Sequence, residues 1–163
     1  MVAYYCKLYG VTKGLELMRN AGGDNKEVKA YLMTELGDLE KMKGALEGSS
    51  KEDQKITVEN FILSMFAKCD KEERTDESIT KQHAMSFKRC SDFIALLSLF
   101  GQIEPEWKER EKYCKFKAGT ILKCLKNGEE PPRGNPFAKE DELEEEEKKM
   151  QMEHDSFTII QSN

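Results

Sequence analysis

Apolar residues recur at intervals of three and four along most of this chain, which is the spacing of one face of an α-helix. The first such pattern ends at residues 20–23, where two glycines favour a turn. Its apolar positions are Met1, Tyr4, Leu8, Val11, Leu15 and Met18. The second begins near Asp24 or Asn25, both good N-caps, and ends at Gly48. Its apolar positions are Val28, Leu32, Leu36, Leu39, Met42 and Leu46, and we predict that the two helices form a hairpin.

Three further helical patterns follow the hairpin. The first comes after Ser49 and Ser50, with its apolar side at Val58, Phe61, Ile62, Met65, Phe66 and Cys69, and we interpret residues 70–75 as its solvated end or the turn after it. The second is predicted over about residues 76–100. The third begins at Pro105 and ends at Asn127–Gly128, with Trp107, Cys114, Ala118, Ile121 and Leu125 on one face.

Residues 84–100, AMSFKRCSDFIALLSLF, form the most apolar part of the chain. Their second half is apolar nearly all round a helix, which indicates a central helix with neighbours on more than one side. The stretch reaches only the lower limit of a membrane span, and its first half carries Ser and charge, so we interpret it as protein core. Residues 56–128 therefore predict a three-helix unit with its own core, whereas two hairpin helices alone cannot hide both apolar faces.

Charge is distributed unevenly along the 163 residues. The net charge is -5, but residues 139–155 contain nine acids and three lysines, which leaves about +1 for the rest of the chain. Nothing in this balance suggests nucleic acid as a partner. We expect residues 131–163 to be an acidic, disordered tail. The basic run 112–123 is open to contact with phosphate or an anionic membrane, but its spacing favours a solvated helix face beside a buried one.

The sequence contains few candidates for catalysis. The five cysteines include no CxxC pair and favour a reduced compartment and a packing role. Cys90 and His83 could in principle be a nucleophile and a base, but a spacing of seven residues on a helix merely places them two turns apart on one side, and no third group that orients them is visible. No zinc-ligand spacing or phosphate-binding loop is present. We predict no catalytic residue, no metal site and no cofactor.

Two longer blocks resemble a known family. The first, VAYYCKLYGVTKGLEL, resembles the signature VAYYCRLYAMxxGL of the Vta-one family, also called lyst-interacting protein five in animals. The second, KYCKFKAGTILKCLKNGEEPPRGNP, is similar to that family's KYAxWKAxxIxKxLKxGxxPxPG pattern, with Phe116 in place of its tryptophan and Gly119 shortly after. ENFILSMFAKCDKEERT and LSLFG also look like the family, and the match covers about residues 2–136.

The resemblance implies a specific architecture and role. The fold would be all-α, with tandem antiparallel three-helix MIT-like bundles: a partial first module at 1–49, a second module at 50–130 and the tail at 131–163. Such modules bind short helical tails of ESCRT-III filament subunits, and the family stimulates the Vps-four AAA ATPase during multivesicular-body formation. The chain would then be a non-enzymatic adaptor in the cytoplasm and, through its partners, at the endosomal membrane.

The resemblance also sets expectations where the chain departs from the family. A further helix precedes VAYYC in the family, so the first module here is expected to have two helices unless another element completes it. The family's C-terminal domain holds the ATPase, and without it we expect weak stimulation. By alignment the tail groove lies near Leu36, with Leu32, Met33 and Tyr9 as neighbours. The alternative is a structural helical scaffold without ESCRT-III binding.

Overall fold

The computed structural model describes residues 1–22 and 25–134, and this part of the chain is all-helical, with no β-strand. The helices are α1 (Val2–Asn20), α2 (Lys26–Lys43), α3 (Lys51–Thr75), α4 (Lys81–Ile94) and α5 (Pro105–Asn127). Two short 3₁₀ helices, Gly44–Leu46 and Ala95–Leu99, follow α2 and α4. The predicted all-α class is confirmed, whereas the acidic stretch predicted for the tail lies outside the described residues.

Local sequence explains where the helices begin and end. The Asn25 side chain accepts hydrogen bonds from the first backbone N–H groups of α2, and Ser50 does the same for α3. At the start of α4, the side chain of Thr80 caps the helix while Thr80 N–H donates to the imidazole of His83. Gly128 ends α5 in the left-handed conformation, with φ 72°.

The main hydrophobic core lies between α3, α4 and α5. Its fully buried members include Val58, Ile62, Phe87, Ile94 and Ile121, one or more from each helix. Leu96 and Leu97 of the second 3₁₀ helix belong to the same cluster. The three predicted helices therefore share one core, to which side chains of α1 also contribute.

The predicted central helix over residues 76–100 is wrong at both ends. It begins only at Lys81, because Thr80 and His83 cap it there, and Ile79 in the preceding connection is buried. It ends at Ile94, where the chain tightens into the 3₁₀ helix Ala95–Leu99. Within this 3₁₀ helix the adjacent side chains of Leu96 and Leu97 are both buried. The change of helix type therefore explains why apolar residues lie nearly all round this stretch.

The hairpin of α1 and α2 joins the bundle through the N-terminal half of α1. The Tyr5 ring lies 4.5 Å from the Phe100 ring, centroid to centroid, and the Tyr5 hydroxyl donates to the side chain of Gln54. Tyr5 is buried and belongs to the main core, so this core continues from the bundle into α1. None of the helices in the described ranges is both long and apolar enough to cross a bilayer.

Candidate partner-binding surface

A second, smaller hydrophobic cluster holds the hairpin together. Val11 of α1 and Leu32 and Leu39 of α2 are buried in it, and the half-buried side chains that pack against them are Tyr4, Leu8, Leu15, Met18 and Leu36. Gly14 permits this packing, because a Cβ atom there would lie 2.8 Å from Leu32 Cδ2. The seam between α1 and α2 is therefore formed by side chains that recur every three or four residues along each helix.

An ion-pair network crosses the hairpin beside this cluster. Lys7 Nζ lies 2.9 Å from a Glu35 carboxylate oxygen and 3.1 Å from one of Asp38, and Lys41 lies 3.2 Å from the other Asp38 oxygen. The hydrogen bonds to Glu35 and Asp38 raise the pKa of Lys7 above its ordinary value. Those from Lys7 and Lys41 lower the pKa of Asp38. The network favours one register of α2 against α1.

The four residues predicted to line the groove occupy three kinds of environment. Leu32 is buried in the smaller cluster, and Leu36 is half-buried against it. Met33 is 56% exposed. Tyr9 is half-buried, but it packs against the main core and not against the smaller cluster. The structure thus brings Leu32 and Leu36 together at the seam, with Met33 next to Leu32 on the solvent side.

Sequence reasoning missed the other exposed apolar side chains of the hairpin. Tyr31 is 64% exposed and Leu17 is 68% exposed, and Val28, predicted for the buried side of α2, is exposed as well. Periodicity gave no signal for Tyr31 and Leu17, because they fall outside the predicted apolar stripes. Together with Met33, these residues leave exposed apolar side chains on both helices of the hairpin.

The KA and PPRG pieces of the second block, which contain Lys117 and Gly134, meet in a buried polar site. Lys117 Nζ lies 2.6 Å from Glu73 Oε1 and donates to the carbonyl oxygens of Pro132 and Gly134, each at 2.9 Å. Glu73 Oε2 accepts from Gly134 N–H at 3.1 Å. Arg133 donates to the carbonyl oxygens of Glu73, Asp76 and Glu77 at the end of α3. Residues 131–134, the described part of the predicted tail, are thus packed on the bundle.

The basic run 112–123 lies within α5 and has exposed lysines on one side and a buried side, but the buried side contains a lysine, Lys117. Glu73 is also fully buried, although residues 70–75 were predicted to be the solvated end of α3 or the turn after it. Each buried charge neutralises the other, and the backbone of residues 132–134 completes their hydrogen bonds. The motif therefore fastens the segment that follows α5 onto α3.

His83 and Cys90 have separate structural surroundings. The His83 imidazole holds the start of α4 through Thr80, and its Nε2 lies 3.0 Å from Asp76 Oδ2. Cys90 is fully buried in the core, and the hydrogen bond between its thiol and that of Cys114 raises the pKa of Cys114. No group of three or more His, Cys, Asp or Glu side chains in the described ranges is arranged to hold a metal ion.

The fold defines this chain as a helical-bundle protein with an apolar, partly open hairpin. The chain belongs to the Vta1-like family, whose model, described as "Vta1 like", matches residues 1–127. It is similar to the Arabidopsis thaliana protein named homolog of mammalian LYST-interacting protein 5, at 36% identity over 143 residues, which is 88% of this chain and 33% of that protein.

Animal relatives match over a similar range. The human vacuolar protein sorting-associated protein VTA1 homolog is 34% identical over 154 residues, which cover 90% of this chain and 48% of the human protein. A Dictyostelium discoideum protein of the same name is 25% identical over 135 residues, or 80% of this chain and 24% of that protein. The chain thus spans about half the length, or less, of these curated relatives.

Proposed function

We propose that this chain is a non-enzymatic adaptor that binds helical tails of ESCRT-III filament subunits and acts in vacuolar and endosomal protein sorting. Membership of the Vta1-like family and the sorting-associated names of its relatives support the role. The Vps-four AAA ATPase is a proposed further partner of the whole protein. The proposed place of action is the cytoplasm and the surface of endosomal membranes.

One observation supports particular residues as the contact: side chains at the centre of the α1–α2 seam are buried, whereas those at its edge are partly or largely exposed to solvent. Leu32 and Leu39 are buried, Leu36 beside them is only half-buried, and Met33 is exposed. An amphipathic helix binds such an edge by inserting apolar side chains at positions i, i+3 and i+4 between the existing ones. Leu36 would then be the central contact of the tail, with Met33 at the rim.

The surrounding charges suit recognition of a helix with both signs of charge. Glu35 and Asp38 are held by Lys7, while Lys29, Lys43 and Glu40 are exposed on α2 and take part in no ion pair among the described residues. Charges at the rim of an apolar contact fix register and partner choice more than they add affinity. We therefore assign affinity to Leu36 and Met33, and selectivity among tails to the rim.

The experiment is a titration of the fluorescently labelled C-terminal tail peptide of an ESCRT-III subunit with the full chain. We expect Leu36→Asp to weaken binding at least about tenfold, because a buried carboxylate at a central contact costs more than about 1.4 kcal/mol. Met33→Asp, at an exposed position that does not support the fold, should weaken it less but measurably. Leu17→Asp is the matched control, since Leu17 is exposed on the same hairpin and lies outside its cluster.

The outcome separates the adaptor from a structural scaffold. If Leu36→Asp and Met33→Asp weaken peptide binding and Leu17→Asp leaves it unchanged, the result supports binding in the hairpin groove. If neither the unmodified chain nor any variant binds the tail of any ESCRT-III subunit, the structural scaffold is the remaining function. Equal loss in all three variants would place the contact elsewhere on the hairpin.

A further inference from the structure

The outer side of α5 carries four lysines that have no acidic partner in the described part of the chain. Lys108, Lys112, Lys123 and Lys126 are exposed and take part in no ion pair within residues 1–22 and 25–134. Their spacing places them on one side of the helix, opposite the buried Lys117, and we call them the lysine face. Lys115, between them, is paired with Glu111.

The chain leaves the bundle close to the middle of this helix. Lys117 holds the carbonyl oxygen of Gly134 at 2.9 Å, and Gly134 itself is buried. Along α5, Lys117 is five residues from Lys112 and six from Lys123, which corresponds to less than about 10 Å along the helix axis. Gly134 is therefore level with the middle of the lysine face along the axis of α5, although it lies on the opposite side of the helix, where Lys117 holds it.

The sequence that follows contains the strongest concentration of negative charge in the protein. Residues 140–147, EDELEEEE, contain seven acids and no basic residue, and they begin six residues after Gly134. To pass from one side of a helix of about 10–12 Å diameter to the other, a chain must follow half of its circumference, about 16–19 Å, and six extended residues span about 20 Å. Six residues are thus long enough for the acidic segment to reach the lysine face.

We propose that the acidic segment 140–147 of this chain binds the lysine face of α5. Covalent attachment at Gly134 gives the segment an effective concentration in the millimolar range or above, so many weak exposed ion pairs suffice. An anionic membrane is the competing partner for four lysines. A membrane of this kind would have to approach a surface next to seven tethered acids of its own sign, and this repulsion favours the acidic segment as the partner. The inference is independent of the adaptor function.

A carbodiimide cross-linker, which joins a carboxylate to an amine in direct contact, tests the proposal on the full chain. Lys71 and Lys81 are the reference amines, because they are exposed, take part in no ion pair in the described ranges and lie outside α5. At about 0.01 M salt we expect cross-links from 140–147 to Lys112 and Lys123 to exceed those to Lys71 and Lys81 at least about threefold. At about 1 M salt, where the screening length falls to about 3 Å, the excess should disappear.

Two charge-reversed proteins make the result specific. The double variant Lys112→Glu/Lys123→Glu should abolish the excess of cross-links from residues 140–147 to the two remaining lysines of the lysine face, Lys108 and Lys126. The double variant Lys71→Glu/Lys81→Glu should leave the excess of cross-links to the lysine face unchanged. Equal cross-linking of all exposed lysines, or an excess that vanishes on dilution because it arises between molecules, would overturn the proposal. So would sedimentation of the unmodified chain with phosphatidylserine vesicles in a manner that depends on Lys112 and Lys123. No ESCRT-III tail is present in any arm, so failure here does not bear on the adaptor function.

Discussion

The ammonium group of Lys117 and the carboxylate of Glu73 lie 2.6 Å apart, and the two side chains are 1% and 0% exposed. Their remaining hydrogen bonds go to the backbone of Pro132 and Gly134. The pair therefore joins three pieces of chain that are distant in sequence: α3, α5 and the segment after α5. A buried pair of this kind makes each partner dependent on the other, because either charge alone would be buried without compensation.

Removing one charge of this pair should destabilise the bundle strongly. For Lys117→Met we expect the free energy of unfolding to fall by about 3–5 kcal/mol, since Glu73 is left buried without its partner. Urea unfolding followed by the fluorescence of Trp107, which is buried in the same core, measures this loss. Lys115→Met, which removes an exposed pair with Glu111, should cost less than about 1 kcal/mol. A loss below about 1 kcal/mol for Lys117→Met would contradict the role of the pair.

Arg133 offers a separate test of how the segment after α5 is fastened. It donates to three carbonyl oxygens at and beyond the C-terminus of α3, which have no helical partners of their own. Arg133→Ala should lower the free energy of unfolding by about 1–2 kcal/mol. It should also speed hydrogen exchange of the Gly134 amide, whose N–H donates a hydrogen bond to the Glu73 carboxylate. Arg89→Ala, at an exposed position on α4, should change neither quantity, and unaltered exchange at Gly134 in Arg133→Ala would refute the fastening.

Two glycines of α1 should respond differently to alanine. At Gly10 nothing lies within 4 Å of an added Cβ, so Gly10→Ala should raise the free energy of unfolding by about 0.5–1 kcal/mol through better helix propensity. At Gly14 the added Cβ would lie 2.8 Å from the Leu32 Cδ2 methyl, so the buried Leu32 side chain must shift, and this cost should offset the propensity gain of about 0.5–1 kcal/mol. Thermal unfolding of both variants measures the difference. Equal stabilisation at the two positions would show that α2 does not pack against Gly14 as described.

The thiols should differ in reactivity according to their burial. Burial raises the pKa of Cys69 to about 11, and burial with the Cys90 hydrogen bond raises that of Cys114. At pH 8 only about one Cys69 thiol in a thousand is then a thiolate. With Ellman's reagent on the native protein we expect Cys124 and Cys6, which are half-buried, to react first, and Cys69, Cys90 and Cys114 only on unfolding. Uniform reaction of all five would contradict the buried positions.

The same shift has a consequence for stability at alkaline pH. An unfolded Cys69 loses its proton near pH 8.5, about its ordinary pKa, whereas the folded one keeps it until about pH 11. The contribution of this neutral thiol to stability is therefore complete below pH 8.5 and is lost as the pH rises towards 11. Replacement by alanine would remove this part of the alkaline dependence.

The apolar periodicity predicted the five α-helices because each of them buries one face. The ends of these helices could be predicted where the sequence contains a capping residue. Asn25, Ser50, Pro105 and Gly128 all mark the observed ends. The periodicity failed within residues 76–100, since apolar residues all round a stretch are equally compatible with one long helix and with an α-helix followed by a 3₁₀ turn. The His83 contribution to the start of α4 has no pattern that would reveal it.

The buried pair of Lys117 and Glu73 was beyond prediction from composition, because an isolated lysine and glutamate are expected in solvent. In the sequence, only the family pattern that the second block resembles places the KA piece and Gly134 within one motif. In the hairpin, the stripe through Leu32, Leu36 and Leu39 predicted the seam. The exposed positions of Tyr31 and Leu17 depend on where α1 and α2 touch, which the spacing of one helix cannot supply.

The most direct test of the proposed adaptor function is a nuclear magnetic resonance titration of the isotope-labelled full chain with an ESCRT-III tail peptide. Binding in the hairpin groove should shift the backbone amide signals around Leu32, Met33 and Leu36 in proportion to saturation, and leave those of the outer side of α4 in place. Leu36→Asp should remove the shifts while the remaining spectrum stays that of the folded protein. A bound peptide that leaves the signals of α2 unchanged, or no shifts at a saturating peptide concentration, would contradict the groove in the α1–α2 hairpin.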